Sequence, residues 1–555
     1  MAMRSGGRIL IDQLAIQGVD TIFGVPGESF LEALDALIES PIRFVNCRQE
    51  GGAAMAAEAH AKFTGRPGVC FVTRAPGATN AASGVHVAQQ DSTPMVLLVG
   101  QIERAARYRD AFQEVDYRLL FGGMAKLVLE IDDAARLPEH VHRAFRTAMA
   151  GRPGPVVLVL PEDMLIDRID VEDGIRALPV AHHPDPHAIG QLHGLLAKAE
   201  RPLVILGGSD WTTAGRVALE NWIASNDLPV GCGFRRQSLF DNLHRCWAGA
   251  VGLGPDPKLA QRVKDADLLI AFGSRLSETA TAGYTLLNVP RMGQIFVQIH
   301  PDPAELGHVY QPDLAICADL SATAQALSGH PPVRERPWAA ETEALHARYM
   351  AFSEPVEAPG ALNMSKVVQH LQANLPADAV VTNGAGNYAI WVQRFWRYRL
   401  AHTQLSPTSG SMGYGLPAAV AAAVADPSRR VVAFAGDGCF MMTCQELATA
   451  VQENLKLLVL VVDNGMYGTI RMHQEREHPG RVSGTALKNS DFAAMARAMG
   501  AHGATVRATE EFPAALDEAL AAPGPALLHL IQDPEALTPA RSLSTIREEA
   551  RAAGR

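Results

Sequence analysis

The chain has 555 residues, a length that exceeds one hydrophobic core and predicts roughly three domains. Apolar residues make up 48% and charged residues 19% of the sequence, which is typical of packed globular domains and excludes a largely disordered chain. The formal net charge of −10 offers no broad basic surface for nucleic acid, so small-molecule chemistry is favoured.

The cysteines and the N-terminal residues indicate where the protein is found. Seven cysteines are scattered without a CxxC pair, so neither a disulfide framework nor a zinc site is predicted, and a reducing cytoplasm is expected. The N-terminus MAMRSGGRIL lacks an apolar leader, and the longest apolar runs are too short to span a bilayer. We therefore expect a soluble protein with no membrane partner.

Short β-branched runs alternate with longer alanine-rich stretches along most of the chain. The runs include GVCFVT (68–73), PMVLLVG (94–100), PVVLVLP (155–161), PLVILGG (202–208) and ADLLIAFG (266–273). This alternation is typical of βαβ units around buried parallel sheets. Pro- and His-rich stretches at 179–188 and 330–361 interrupt the pattern. We therefore predict an α/β fold with three domains, at 1–180, 190–330 and 360–555.

The first segment contains one glutamate in a suggestive position. RFVNCRQEGGAAMAAEAHAKFTG (43–65) places Glu50 between a short strand and a helix of small residues. The small side chains that follow Glu50 permit close approach of a ligand or a neighbouring chain. Taken alone, a glutamate at the start of a helix indicates no more than a favourable interaction with the helix dipole.

Two strands of the third segment end in a pair of motifs that predict a metal site. In RVVAFAGDGCFMMTCQELATAV a strand ends at Gly436-Asp437-Gly438, where glycines allow a tight turn against a phosphate. A second strand, in LKLLVLVVDNGMYG, ends at Asn464, 27 positions after Asp437. Asp437, the Asn464 amide and the Met466 carbonyl would present three oxygens at neighbouring strand ends, a ligand set that Mg²⁺ prefers. An isolated GDG would indicate only a tight turn, and the pairing is what favours a metal.

With these motifs the sequence resembles the thiamine-diphosphate-dependent decarboxylase and acetohydroxyacid (acetolactate) synthase family, whose metal signature is GDG followed at this spacing by NN. Here the pair is Asp463-Asn464, so the first position departs from the family and the metal-carrying second position is retained. FGVPG (23–27), APGATN (75–80) and DSTPMVLLVG (91–100) also follow the family order. The resemblance covers nearly the whole chain. It implies three doubly wound parallel-sheet domains in pyrimidine-binding, central and diphosphate-binding order.

The resemblance also implies a thiamine-diphosphate site built from both terminal segments. Glu50 would be the activating carboxylate, hydrogen-bonded to the pyrimidine N1′ so that the thiazolium C2 loses its proton. Met412, in SGSMGYGLPAA (409–419), would support the bend between the two rings, with the Gly410 carbonyl accepting from the 4′-amino group. A strand-to-helix turn with a core methionine is the alternative for this segment. The other implied cofactor residues are Pro26, Thr73, Pro76, Asn80, Gly386, Asn387, Gly436, Gly438, Cys439, Tyr467 and Gly468.

Two further elements resemble those that border the substrate in acetohydroxyacid synthases. RYRDAFQEVD (107–116) matches an element with a Phe-Gln pair, so Phe112 and Gln113 are candidate catalytic residues, with ordinary loop packing as the alternative. After GMYG, relatives place apolar residues that select the acceptor, whereas this chain has Thr469 and His473, with Ile470 beside them. We expect a more polar substrate pocket, in which His473 is either a proton shuttle or a solvated surface residue.

The middle segment leaves two alternatives open. Arg275, in GSR (273–275), falls where acetohydroxyacid synthases contact FAD, which indicates a flavin site. Their LGMHG-type loop is replaced here by AVGLGPDP (250–257), which favours a purely structural central domain.

The predicted activity is that of a carboligase or lyase, dependent on thiamine diphosphate and Mg²⁺, acting on a 2-oxo acid or aldehyde. The alternatives are a decarboxylase or C–C hydrolase without ligation, and a non-catalytic cofactor-binding paralogue. The joint presence of Glu50, Asp437 and Asn464 argues against the paralogue. A dinucleotide-dependent dehydrogenase is disfavoured because no GxGxxG follows the first strand. In relatives one site is built from two subunits, so a homodimer or homotetramer is expected.

Overall fold

The computed structural model of the protein describes residues 3–209 and 211–554. The chain forms two compact units that do not follow chain order. The first comprises Met1–Pro179, Val380–Gly386 and Leu405–Pro534, and the second comprises Val180–Ala379, Asn387–Gln404 and Glu535–Arg555.

The N-terminal part of the first unit is built on a six-stranded sheet. Its strands have the order β3-β2-β4-β5-β7-β6, and every pair is parallel. The strands are β1 (Arg4–Ser5), β2 (Thr21–Gly24), β3 (Arg43–Asn46), β4 (Gly68–Val72), β5 (Met95–Gln101), β6 (Leu127–Glu130), β7 (Pro155–Pro161) and β8 (Arg168–Ile169), of which β1 and β8 form a separate antiparallel pair. The helices are α1 (Gly6–Ile16), α2 (Leu31–Leu37), α3 (Glu50–Thr64), α4 (Ala75–Asp91), α5 (Tyr117–Phe121), α6 (Leu137–Met149) and α7 (Glu162–Ile166).

This sheet has a switch point between β2 and β4. From these neighbouring strands the chain order runs outward in opposite directions, to β3 on one side and to β5 on the other. In open α/β sheets such a point leaves a crevice at the carboxyl ends of the two strands, where ligands bind. Residues 25–27 follow β2, and residues 73–74 and the first turn of α4 follow β4, so both connections lie at this crevice.

The second unit contains the middle sheet, of order β11-β10-β9-β12-β13-β14, which is parallel throughout. Its strands are buried runs such as PLVIL and LLIAF, as expected for a parallel sheet covered on both faces. They are β9 (Pro202–Leu206), β10 (Val230–Cys232), β11 (Trp247–Ala250), β12 (Leu268–Phe272), β13 (Ile295–His300) and β14 (Leu314–Cys317). The helices of this unit are α8 (Pro186–Leu196), α9 (Thr213–Ser225), α10 (Pro257–Lys264), α11 (Leu320–Ser328), α12 (Ala339–Phe352), α13 (Met364–Asn374) and α14 (Tyr388–Phe395).

The third sheet has the order β16-β15-β17-β18-β20-β19, and its pairs from β15 to β19 are parallel. A second switch point lies between β15 and β17, so the chain after each of these strands enters a crevice. The strands are β15 (Val380–Asn383), β16 (Gln404–Leu405), β17 (Val431–Gly436), β18 (Leu457–Asp463), β19 (His502–Val506) and β20 (Ala526–Ile531). The helices are α15 (Gly415–Ala425), α16 (Asp437–Phe440), α17 (Glu446–Gln452), α18 (Gly468–Glu477), α19 (Phe492–Ala498) and α20 (Phe512–Ala521), and α21 (Leu543–Ala552) belongs to the second unit. The predicted fold class, three α/β domains with parallel sheets, is confirmed.

Helix α3 owes its small residues to close packing. Every residue from Gly51 to Ala61 is buried. The helix begins where the Gln49 side chain accepts a hydrogen bond from the Gly52 N–H at 2.9 Å. It ends at Gly65, whose φ of 70° is the left-handed conformation that glycine adopts readily. Within the two described ranges, no helix is both long enough and apolar enough to cross a membrane.

Candidate functional site

Glu50 lies at the first of the two crevices. It is the first residue of α3, it is half-buried, and its Oε2 accepts a hydrogen bond from Nδ2 of Asn80 at 2.9 Å. Gly77 lies beside the other oxygen, since a Cβ there would be 3.3 Å from Oε1 and 3.0 Å from Cγ2 of Thr73. The structure therefore brings Glu50, Asn80 and Thr73 together, and the glycine keeps the carboxylate accessible.

The loop after β2 packs against the same group. Oγ of Ser29 and Oγ1 of Thr73 share a hydrogen bond of 3.0 Å, and a Cβ on Gly27 would lie 2.4 Å from Cβ of Thr73. Pro26, in the loop after β2, and Pro76, in the first turn of α4, are both exposed. All of the cofactor residues predicted in the first segment thus occupy one edge of the N-terminal sheet.

Asp437 lies at the second crevice and is only 4% exposed. Its Oδ1 accepts from the Gly438 N–H at 2.8 Å, and its Oδ2 accepts from Nδ2 of Asn489 at 2.8 Å. Asn489 also donates to Oδ1 of Asp463 at 2.7 Å, so one neutral amide bridges two carboxylates. Burial, together with the nearby negative charge of Asp463, raises the pKa of Asp437 above its ordinary value. A bound cation would stabilise this acidic pair.

Asp463, the residue that departs from the family pair, has partners of its own. His529 Nε2 on β20 donates to Oδ2 of Asp463 at 2.8 Å, and the Gly465 N–H donates to Oδ1 at 2.9 Å. Burial acts to raise the pKa of Asp463, but the hydrogen bonds from His529 and Asn489 outweigh it and lower this pKa. The substitution is thus matched by a partner on the neighbouring strand.

Sequence reasoning did not identify Asn489 or His529. His529 could have been noticed as a polar residue in the otherwise apolar strand ALLHLI. No motif marks Asn489, which lies in the connection between α18 and α19.

The segment after β18 is held in place by backbone hydrogen bonds. Met466 pairs with Ala486 in an isolated bridge, the Tyr467 N–H donates to the Thr485 carbonyl at 2.9 Å, and the Met466 N–H donates to Oδ1 of Asn464 at 3.3 Å. No group of three or more His, Cys, Asp or Glu in the described ranges could hold a metal ion. The predicted set of Asp437, Asn464 and Met466 relies instead on one carboxylate, one amide oxygen and one carbonyl.

Three glycines, of which only Gly438 was predicted as a cofactor residue, pack tightly against the predicted residues Cys439 and Tyr467. The Gly413 N–H donates to Sγ of Cys439 at 3.2 Å, and a Cβ on Gly384 would lie 2.5 Å from that sulfur. A Cβ on Gly438 would lie 2.5 Å from the ring of Tyr467. The glycines are therefore required for close approach of these loops.

The remaining predicted cofactor residues lie near the same strand ends. Gly436 is the last residue of β17, and Gly468 is the first residue of α18. Gly410 is exposed with a φ of 69°, and Met412 is half-buried. Gly386 follows β15 in the first unit, whereas Asn387 belongs to the second unit.

Comparison with known proteins matches three family models to successive parts of the chain. The N-terminal TPP binding domain of thiamine pyrophosphate enzymes matches residues 4–120, the central domain matches 189–327, and the C-terminal TPP binding domain matches 384–530. The acetolactate synthase isozyme 2 large subunit of Escherichia coli (strain K12) is 34% identical over 537 residues, which cover 95% of this chain and 96% of that protein. The chain belongs to the thiamine pyrophosphate enzyme family.

Other relatives of this thiamine pyrophosphate enzyme have similar coverage. The acetolactate synthase large subunit of Parasynechococcus marenigrum (strain WH8102) is 33% identical, covering 94% of this chain and 87% of that protein. The probable acetolactate synthase large subunit of Methanocaldococcus jannaschii is 30% identical, covering 96% and 93%. The predicted family, acetolactate synthase-like, and the predicted domain order are confirmed.

In this thiamine pyrophosphate enzyme the residues predicted to border the substrate differ in side-chain exposure and in backbone contacts. The Phe112 side chain is 76% exposed, whereas Gln113 has a φ of 66° and its carbonyl accepts from the Ala75 N–H at 3.3 Å, at the start of α4. On α18 Thr469 is half-buried, His473 is exposed and Ile470 is 55% exposed. The roles of these residues stay predictions.

Proposed function

We propose that this chain is a thiamine-diphosphate- and Mg²⁺-dependent carboligase that acts on a 2-oxo acid in the manner of an acetolactate synthase. The observation that carries the proposal is the placement of Glu50 and Asp437 at the switch-point crevices of two parallel sheets, within the matched N- and C-terminal TPP binding domains. The relatives compared above, named as acetolactate synthases, align over nearly the whole chain.

The residues around Asp437 fit a divalent cation. Two nearby carboxylates share a neutral amide, and a hard cation would offset the cost of burying Asp437. Asp437, Asn464 and the Met466 carbonyl would hold Mg²⁺, leaving other positions for diphosphate oxygens and water.

The residues around Glu50 fit a pyrimidine ring. Bound thiamine diphosphate would supply a nucleophilic carbon and an electron sink for forming or breaking a bond next to a carbonyl. Glu50 would hold and return a proton at the pyrimidine N1′, and the Asn80 amide orients its carboxylate for that purpose. Met412 would support the cofactor's bend, and the Gly410 carbonyl would accept from its amino group.

The test of this function is mass-balanced product analysis. Protein loaded with thiamine diphosphate and Mg²⁺ is incubated with pyruvate, 2-oxobutyrate and a panel of aldehydes, and CO₂ and carbon products are quantified. We expect CO₂ release together with a ligated 2-hydroxy-ketone product. Free aldehyde as the main product would favour the decarboxylase instead. Because Thr469 and His473 replace apolar selectors, strong preference for 2-oxobutyrate over pyruvate as acceptor would contradict the predicted polar pocket.

We also propose that the enzyme needs no flavin. The loop at 250–257 lacks the family's flavin-binding pattern, and Nη1 of Arg275 lies 4.0 Å from the Glu305 carboxylate, so this cation already faces an acid. The absorbance spectrum of the supernatant after heat release should show no stoichiometric flavin. About one flavin per chain would overturn this part of the proposal.

A further inference from the structure

A buried carboxylate from the third sheet domain contacts the backbone just before Glu50. Glu446, the first residue of α17, is 1% exposed. Its Oε1 accepts from the N–H groups of Arg48 and Gln49, at 3.2 and 3.1 Å, and its Oε2 lies 3.3 Å from the Arg48 nitrogen. These N–H groups belong to the two residues immediately preceding Glu50.

The first turn of α3 is shaped to receive this carboxylate. A Cβ on Gly52 would lie 2.6 Å from Oε1 of Glu446, so only glycine leaves the necessary space. On the helix side, the Gln49 side chain accepts from the Gly52 N–H at 2.9 Å. The start of α3 is therefore held by a local cap and by a remote carboxylate at the same time.

The contact favours a carboxylate. The two backbone N–H groups converge on Oε1 of Glu446, and Oγ1 of Thr449 donates to Oε2 at 2.7 Å. A glutamine could keep its carbonyl oxygen on the two N–H groups only as a weaker, neutral acceptor, with its NH₂ group turned to the Thr449 hydroxyl. Burial raises the pKa of Glu446, and the hydrogen bonds act in the opposite direction.

We propose that Glu446 is a positioning residue, which fixes the start of α3 so that the Glu50 carboxylate meets the cofactor's pyrimidine in the productive orientation. Residues 437–446 begin with the proposed metal ligand Asp437 and end with Glu446. This segment therefore supplies a metal ligand and also holds the start of α3, the helix that carries Glu50. This role rests on the proposed function, because it concerns the orientation of the activating glutamate.

The first test uses the apo protein and needs no activity. In Glu446→Gln, hydrogen–deuterium exchange of the 48–49 amides should rise about tenfold, because their acceptor is weakened. A crystal structure of the variant should show the Glu50–Asn80 hydrogen bond broken or lengthened. The matched control is Glu453→Gln, which removes an ion pair between the same two domains, to Arg43, without touching residues 48–50. Unchanged amide exchange and an unchanged Glu50–Asn80 bond in Glu446→Gln would overturn the proposal.

The second test follows exchange of the thiazolium C2 proton of bound thiamine diphosphate into deuterated water. Glu446→Gln should slow it about 10- to 100-fold, the loss expected from a misplacement of about 1 Å, while thiamine diphosphate affinity changes less than about threefold. Gly52→Ala, which displaces the carboxylate from the other side, should reproduce the effect if Glu446→Gln folds poorly. Faster amide exchange with unaltered C2 exchange would reduce Glu446 to a structural brace and overturn the proposal. Lack of C2 exchange in the wild type would contradict the proposed function, while the apo measurements would still decide whether Glu446 positions Glu50.

Discussion

The two acidic residues that carry the proposed chemistry have different surroundings. Glu50 is half-buried and meets the neutral amide of Asn80, whereas Asp437 is buried near a second acid. A group that transfers protons must be accessible to the molecule on which it acts. A carboxylate that binds a metal ion must be stabilised by the positive charge of that ion. Each environment thus suits the role assigned to its residue.

Replacing Glu50 by Gln should separate catalysis from cofactor binding. The amide keeps the size and part of the hydrogen bonding but cannot hold the proton, so turnover should fall by about two to four orders of magnitude. Thiamine diphosphate affinity should weaken only modestly. The deciding measurement is C2 proton exchange of the bound cofactor at saturating Mg²⁺. Glu139→Gln, at an exposed position in the first turn of α6, is the matched control. Equal exchange rates in Glu50→Gln and wild type would mean that Glu50 is not the activator.

Asp437 and Asp463 should respond differently to neutralisation. Asp437→Asn removes a proposed metal ligand, so Mg²⁺-dependent retention of thiamine diphosphate should weaken more than about 100-fold, while Asp463→Asn, outside the ligand set, should cost about tenfold. Isothermal titration with thiamine diphosphate at a fixed Mg²⁺ concentration measures both affinities. A larger loss of affinity in Asp463→Asn would exchange the two roles.

The contacts of these residues explain which of them could be predicted from the sequence. Asp437 and Asn464 follow adjacent strands, so their spacing is visible in the sequence. Asn489, His529 and Glu446 act through contacts between elements distant along the chain, and no local pattern encodes such pairings. From the sequence, Asp463 could be recognised only as a difference from the family's Asn-Asn pair, because its partner His529 lies on β20.

At the level of elements, α3 combines the proposed activating residue with a buried interior. Its small residues predicted close approach, and the structure packs it against α4 and α15. The sequence did not reveal that Glu58, in the middle of the helix, would accept a hydrogen bond of 2.6 Å from the hydroxyl of Tyr414, the residue just before α15. This buried acid pairs with Lys62 one turn later on α3, at 2.9 Å, and also accepts from the hydroxyls of Thr93 and Tyr414, which the fold brings from outside the helix.

His60, on the same helix, should make stability depend on pH. Burial lowers its pKa from 6.5 to about 4; Asp20 opposes this shift and Arg66 adds to it. As pH falls below 6.5, His60 is protonated in the unfolded chain but stays neutral in the folded chain. The free energy of unfolding therefore decreases between pH 6.5 and pH 4. Between pH 7 and pH 5 this amounts to about 2 kcal/mol.

The measurement for His60 is the free energy of unfolding from denaturant titrations at both pH values, at one protein concentration. His60→Gln should lose about 2 kcal/mol less than wild type on acidification, because it has no proton to take up. His86→Gln, at an exposed position on α4, is the control and should follow the wild type. A wild-type pH dependence in His60→Gln would place the acid sensitivity elsewhere.

For the whole molecule, composition and alternating runs were sufficient to predict three parallel-sheet domains. They could not predict how the chain groups them, since the first and third sheets share one compact unit and residues 387–404 and 535–555 belong with the middle sheet. That grouping depends on contacts between segments hundreds of residues apart. Proline-rich linkers mark where one sheet ends, but they carry no information about which sheets associate.

The assembly of the sites can be tested with the same two acidic residues, because the family resemblance implies that each site takes its pyrimidine side from one subunit and its diphosphate side from another. Glu50→Gln and Asp437→Asn are each expected to be nearly inactive. If they are mixed as unfolded chains and refolded, half of the resulting dimers are mixed by chance. Each mixed dimer contains one site with both natural residues, so about a quarter of wild-type turnover should return. Refolding each variant alone is the control and should restore nothing. If the mixture stays as inactive as its components, both residues of a site come from one chain, and the proposed assembly would have to be abandoned.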